Sequence, residues 1–198
     1  MRKLSIICLC VFLLSSCGVT SSLYYDVSLS KVESPIEKEV KIKKITIPKS
    51  VQTENGLFFY DEYQYLFSDQ FVSMLWQYDV NMGDRFNFVL QNVSNSTIKI
   101  YWNEIVYSDE NNVATKVDNK GFNDDAPISI VPASLNFSGI VRPDTGYYTL
   151  FPKYSTQQHV GRIVGCKVKI YFPIEIDNKK LDYIFEFNID GVGAKYGQ

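Results

Sequence analysis

The sequence predicts an all-β protein, an antiparallel two-sheet sandwich of about seven to nine strands. Three observations carry this expectation. Short runs alternate apolar and polar residues, which is the period of a strand with one dry face. Turn chemistry rich in Asn, Asp, Gly, Pro and Ser separates the runs. Aromatic residues, 15% of the chain, fall inside the alternating runs, and no segment is convincingly helical on its period alone. No period of about 20 to 50 residues recurs, so a repeat architecture is not expected.

The first alternating segment is Glu39 to Ile47. Val40 and Ile42 fall on one face and Ile45 and Ile47 on the other, so the alternation slips near Lys43-Lys44, and a bulge is expected there. Pro48 is read as its end, and Glu54-Asn55-Gly56 as a turn before the apolar run Leu57 to Tyr60. From Tyr63 to Tyr78 two periods compete. Tyr63, Leu66, Phe67, Phe71, Met74, Leu75 and Tyr78 fit a helix, while Val72, Met74, Trp76 and Tyr78 alternate strictly after a break at Ser68-Asp69. The strand is preferred because the segments that follow need a sheet to join.

Those segments are clearer. Phe86, Phe88 and Leu90 share one face, Asn92 to Ser96 supplies a turn, and Ile98, Ile100 and Trp102 repeat the inward pattern, leaving Tyr101 to face away, so the two runs are expected to form an antiparallel pair with one dry face. Val106 to Ser108 and Val113 to Val117 flank a turn at Asp109 to Asn112, and Asp118 to Pro127 reads as a loop. Ile128 to Val131 is a short strand stopped by Pro132, and Leu135, Phe137, Gly139 and Val141 alternate up to the turn Arg142 to Gly146. Tyr147 to His159 is irregular. The last hairpin sets Val168, Ile170, Phe172 and Ile174 against Tyr183, Phe185, Phe187 and Ile189 around Asp177 to Lys180, after which Gly191, Gly193 and Gly197 predict a loose C-terminus.

Ahead of this domain stands an address. Arg2 and Lys3 precede an apolar run from Leu4 to Leu14, too short for a spanning helix of about 20 residues, and the small residues that follow mark a secretory signal. A thiol follows them directly. Leu14-Ser15-Ser16-Cys17 reads as a lipobox and resembles the bacterial lipoproteins, which implies cleavage between Ser16 and Cys17 and attachment of a diacylglycerol to the Cys17 thiol. Two buried acyl chains suffice for stable anchoring. The organisation expected is therefore a signal helix over 1–16, a lipidated Cys17 with a flexible tether over 17–38, and one domain over 39–198. Tyr24 and Tyr25 either sit at the membrane interface or start an edge strand.

A second resemblance concerns the domain. Phe86 to Asn95, then Ile98 to Glu104, then Val131-Pro132-Ala133-Ser134 leading to Val141-Arg142-Pro143 resemble a family of uncharacterised bacterial envelope lipoproteins with an immunoglobulin-like domain. The resemblance implies an immunoglobulin-like sandwich with Trp102 as the core tryptophan of its third major strand. A histidine that often follows the second hairpin arm in that family is replaced here by Asp118-Asn119-Lys120-Gly121, and no catalytic residues are carried over. Gly18 after Cys17 is similar to lipoproteins forwarded to the outer membrane, on its periplasmic or surface face.

Composition excludes several classes of function. Without Arg2 and Lys3 the 20 basic residues become 18 against 22 acidic, a formal charge of −4. No basic field is available for a nucleic-acid partner. Cys8 and Cys10 leave with the signal and Cys17 is consumed by lipid, so Cys166 is the last thiol and a disulfide framework within the chain is excluded. At the opening of a strand, Cys166 reads as a packed small hydrophobe. With one histidine, His159, there is no His/Cys cluster and no Ser-His-Asp elbow, so no metal and no cofactor are expected. The acids Asp118, Asp124 and Asp125 lack the order of a calcium loop. The candidate ligand-facing residues are aromatic: Tyr101, with Tyr147, Tyr148 and Tyr154 in the irregular stretch. The expectation is a non-catalytic binding or scaffolding module, bound to the membrane by lipid, whose partner is an envelope protein or a glycan. The alternatives are a carbohydrate-binding accessory lipoprotein that uses those aromatics, and an envelope hydrolase with an unrecognised carboxylate site.

Overall fold

A computed structural model describes residues 21–37, 40–53, 56–79, 85–109, 114–117, 127–142 and 164–196, with 21–25, 49–53, 56–61 and 192–196 described by backbone alone. Twelve strands appear among them: β1 (Ser21–Glu33), β2 (Ile42–Thr53), β3 (Gly56–Ser68), β4 (Val72–Asp79), β5 (Arg85–Asn92), β6 (Ile98–Tyr101), β7 (Val106–Ser108), β8 (Ala114–Lys116), β9 (Ile128–Val131), β10 (Asn136–Val141), β11 (Lys167–Ile176) and β12 (Lys179–Tyr196). They form two antiparallel sheets. The first runs β1-β12-β11-β6-β9, with β7 also on β11 and β8 on β7; the second runs β10-β5-β4-β3-β2. The fold is the all-β two-sheet sandwich expected from the alternation.

The core follows from strand parity. Val72, Met74 and Trp76 of β4, Phe86, Phe88 and Leu90 of β5, Ile98 and Ile100 of β6, and the inward residues of β11 and β12 are all buried. Residues 63–78 are therefore two strands, joined by a turn at Asp69, and not a helix. Trp76 lies at the centre, with ring centroids 4.8 Å from Phe185, 5.2 Å from Phe88 and 5.7 Å from Phe187. Each fully buried large apolar side chain contributes about 1.5–3 kcal/mol relative to exposure. Trp102, expected to face inward, is 9% exposed and ends β6 in a single 3-10 turn, Trp102–Glu104. That turn divides β11 between two partners, β6 over its later half and β7 over its earlier half. Gly139 permits the closest approach: a Cβ there would stand 2.5 Å from Phe88 Cζ and 2.9 Å from Trp102, a clash of the kind that costs about 1–3 kcal/mol.

Several expectations are corrected. The flexible tether does not extend through Ser21–Glu33, which is β1, paired along its length with β12. Register shifts between Asp26 and Val27 and between Leu29 and Lys31 let Val27, Leu29 and Val32 all be buried although their spacing is not that of a regular strand. Tyr24 and Tyr25 belong to this edge strand. The C-terminal glycines are likewise paired, Gly191 with Asp26 and Gly193 with Tyr24. No bulge occurs at Lys43-Lys44, since β2 pairs with β3 without a shift. Lys44 takes the inward parity of Ile42 at the sheet edge, with its ammonium 3.6 Å from the Tyr63 ring centroid. Ile45 and Ile47 are half-buried on the other face. Pro48 does not end β2, because an edge strand tolerates a missing donor.

The sandwich has two unlike ends. One holds the turns at Asp69–Phe71, Val93–Thr97, Pro132–Leu135 and Asp177–Asn178, held by two polar knots. Buried Asn92 donates through Nδ2 to the carbonyls of Ser96 (2.7 Å) and Val131 (2.9 Å), and its Oδ1 accepts from the Ser94 amide and hydroxyl. Asp69 Oδ1 accepts from the Phe71 and Val72 amides, while its Oδ2 accepts from Ser34 Oγ and, at 2.7 Å, from the Tyr183 hydroxyl of the opposite sheet. Burial first, and then that hydrogen bond to a carboxylate, raise the Tyr183 phenol above its ordinary value.

At the other end the strands overrun the sandwich. Along β12, Tyr183 meets Phe67, Phe185 meets Trp76 and Phe187 meets Phe86, so increasing residue number leads away from the turns. Beyond Asn188, β12 leaves β11, bonds once more through Ile189 to the backbone of Gly165 and Cys166, and continues with β1 to Tyr196. In the second sheet β3 pairs with β4 only from Gln64 to Ser68, and its earlier part continues with β2 alone to the Thr53–Gly56 pair. Two ribbons, β1–β12 and β2–β3, therefore project from the same end.

Candidate functional site

Tyr101 is the predicted ligand-facing residue that the described structure contains, and it does face outward. Antiparallel pairing of β6 with β11 sets Lys99 directly opposite Glu175 on the outer face of the first sheet. Lys99 Nζ donates to Glu175 Oε1 at 2.7 Å and the Tyr101 hydroxyl donates to Oε2 at 2.9 Å, so both carboxylate oxygens are engaged. The hydrogen bond from Lys99, and next the one from Tyr101, hold the Glu175 carboxyl below its ordinary value. The same contacts raise Lys99 and Tyr101. Lys180 pairs with Glu104, which raises it, and its ammonium lies 6.0 Å from the Tyr101 ring centroid. Such exposed pairs fix side-chain geometry and contribute little to stability.

Beside this cluster the two turns make a shallow polar recess lined by Asn95, Ser96, Thr97, Lys99, Glu175, Asp177 and Asn178. Ser96 Oγ donates to Asp177 Oδ2 at 2.9 Å and joins its walls. Asp177 and Asn178 both hold positive φ, 52° and 61°, as a two-residue hairpin turn whose twist matches the flanking strands requires. The recess offers amides, hydroxyls and an ion pair, the chemistry of hydrogen-bonded recognition. A carboxylate kept ionised with both oxygens occupied is poorly placed to act as a general acid.

The outer face of the second sheet carries a second polar array that the sequence did not single out. Gln77 Nε2 donates to Glu62, Gln64 Nε2 donates to Gln77 Oε1 at 3.3 Å, and Asp79 Oδ2 accepts from Arg85 and Asn87, each at 3.2 Å. A depression beside it is lined in addition by Leu75, Val89, Ser138 and Ile140. These residues come from four strands, and only the register of β3, β4, β5 and β10 brings them together.

Large aliphatic residues also stand exposed at and near the turn end. Val93 is 45% exposed, Leu135 54% and Ile130 64%. Leu135 was expected in the inward alternation, but it lies in the turn before β10, where its amide donates to the Pro132 carbonyl. Ile130 sits on β9, which among the described residues pairs on one side only, with β6.

Of the other predicted site residues, Ser16, Cys17, Tyr147, Tyr148 and Tyr154 lie outside the described residues, as do His159 and the acids Asp118, Asp124 and Asp125. Cys166 is half-buried, outside any disulfide and packed against the core. Among the described residues no group of three His, Cys, Asp or Glu side chains gathers as a metal site, and no helix is long and apolar enough to cross a membrane. No protein-family model, curated protein or solved structure matches this chain.

Proposed function

We propose that this chain is a lipid-anchored cell-envelope protein, most simply of the outer membrane, whose immunoglobulin-like sandwich is a non-catalytic module that binds another envelope protein. One observation carries the reading: Val93, Leu135 and Ile130 stand exposed toward the end opposite the one from which β1 leads back to Cys17. A protein anchored through Cys17 presents that turn end away from the bilayer, and aliphatic residues rimmed by polar turns suit a protein partner. The lipobox at Leu14 to Cys17 supports the anchor. The occupied oxygens of Glu175 favour recognition over acid-base chemistry at the recess.

Two experiments test it. Replacement of Cys17 by Ala is expected to abolish incorporation of a labelled fatty acid and to leave the protein uncleaved; persistent labelling would remove the anchor from the proposal. A photocrosslinking residue at Ile130, activated in the intact envelope, is expected to trap one discrete protein. That adduct should disappear in the Val93→Ser/Leu135→Ser variant. Adducts indistinguishable from those of an unrelated lipoprotein, or unaffected by the double substitution, would overturn the binding reading.

A further inference from the structure

We infer that the β2–β3 ribbon is a membrane-seating element whose outermost pairs rest in the bilayer interface beside the acylated Cys17. The inference rests on the reading of Cys17 as the lipid anchor and goes beyond it, because a lipid chain alone turns one end of the sandwich toward the bilayer but fixes neither its tilt nor its rotation. From Glu62 to Gly56 the ribbon extends about 20 Å past the strands of its sheet, at ~3.3 Å per residue. From Asn188 to Tyr196 the β1–β12 ribbon extends about 26 Å in the same direction on the same scale. Ser21 is at the end of the second ribbon, opposite Tyr196, and three residues, Gly18 to Thr20, lie between it and Cys17, four Cα-to-Cα steps in all. That separation spans at most about 14 Å. An acylated Cys17 therefore holds the bilayer surface within reach of both ribbon ends.

The sequence of the ribbon suits that place. Its outer pairs set Val51 opposite Phe58, Gln52 opposite Leu57 and Ser50 opposite Phe59, with Lys49 opposite Tyr60 one step further in. On β3, positions 57 and 59 belong to one face of the ribbon and positions 58 and 60 to the other. The β3 arm is therefore apolar or aromatic on both faces at its end, with Val51 and Lys49 of β2 on the face of positions 58 and 60 and Gln52 and Ser50 on the face of positions 57 and 59, whereas a strand of a sandwich with one wet face alternates. An arm apolar on both faces, paired with a partner that supplies Ser50, Gln52 and Lys49, is suited to the boundary between apolar and polar surroundings. Tyr and Lys just behind it are the residues that settle at the headgroup level. The neighbouring ribbon adds Tyr24 and Tyr25 at its own end. The occupant is a lipid surface, since the lipid anchor and the ribbon leave the sandwich at one end.

The test uses the full mature chain, acylated, in vesicles of phosphatidylethanolamine and phosphatidylglycerol with brominated acyl chains, which quench tryptophan on contact. Tryptophan is introduced by Phe59→Trp in one variant and Val93→Trp in another, against the unsubstituted chain, in which Trp76 and Trp102 are buried in the core. Phe59→Trp is expected to lose the larger part of its added emission, and Val93→Trp to keep it. Equal quenching at both positions, or at neither, in vesicle-bound protein whose Cys17 carries lipid by mass spectrometry overturns the seating role and leaves the anchor standing. Emission from Phe59→Trp that shifts to the blue but is not quenched assigns the ribbon to a protein neighbour or a second copy, and also overturns it. Absence of lipid on Cys17 overturns the anchor and the seating role together.

Discussion

The two ends of this sandwich are built from the same alternating strands and are finished in opposite ways. At the turn end, Asn92 and Asp69 each gather four hydrogen bonds, and those bonds tie neighbouring turns and facing sheets together. At the ribbon end, β2, β3, β1 and β12 run on in pairs with no such knot among the described side chains. The difference teaches that fold specification is concentrated at one end. A side chain that satisfies several backbone groups sets loop conformation and strand register together, while the free-running pairs are left available for contacts outside the fold.

Three substitutions test this contrast. The largest effect is expected for Asn92→Ala, which strands the carbonyls of Ser96 and Val131 and the Ser94 amide; about 3 kcal/mol of stability should be lost in urea unfolding, and a loss below about 1 kcal/mol would show that the knot is dispensable. Tyr183→Phe removes the hydroxyl that joins the sheets through Asp69 and is expected to cost about 1–1.5 kcal/mol by the same measurement. At the ribbon end, Ile47→Ser should change stability by no more than about 0.5 kcal/mol; a cost equal to that of Tyr183→Phe would erase the distinction between the ends.

The smallest effect concerns the recess. The Glu175 carboxyl is held below its ordinary value of 4.5, so its contribution is present above the unfolded value and is lost as pH falls through the lower, folded one. Glu175→Gln should therefore flatten the fall in melting temperature below about pH 4.5. Tyr101→Phe should move the Glu175 titration, followed by carboxyl NMR, upward, because the second-ranked cause of its depression is gone. An unmoved midpoint would mean that Lys99 alone sets it.

How far the sequence could be read depended on whether side chains obeyed a strict period of two. β5, β6, β11 and β12 obey it, and their inward residues and the β11–β12 hairpin were legible. But β5 and β6, expected as an antiparallel pair, lie in opposite sheets because the Val93–Thr97 turn crosses from one sheet to the other, and alternation does not tell a hairpin from a crossover. β1 does not, because its two register shifts place Val27, Leu29 and Val32 inward at uneven spacing. The same holds in reverse for β2, where Lys44 occupies an inward parity and imitates a bulge. Of the candidate site, Tyr101 was legible as an outward position, but its engagement with Glu175 spans 74 residues and comes from pairing across the sheet. The amide array of Gln64, Gln77 and Asn87 was invisible for the same reason, since each residue alone is an ordinary polar position on a half-buried strand.

β1 also carries a consequence in time. It is the first described strand of the chain and it pairs with the last, so that Ser30 reaches the carbonyl of Glu186 across 156 residues. During synthesis it has no strand partner until Ile184 to Tyr196 have been made, and in refolding it closes the longest loop among the described strand pairings, which is entropically the most demanding of them. The strand made first is thus fitted last. Val27→Ala is accordingly expected to speed unfolding and leave the refolding rate nearly unchanged in stopped-flow kinetics; a slowed refolding limb would place β1 in the nucleus instead. Until that closure occurs the edge of β12 is an open template, and the interval before β1 docks is when this protein is most exposed to pairing with the wrong strand.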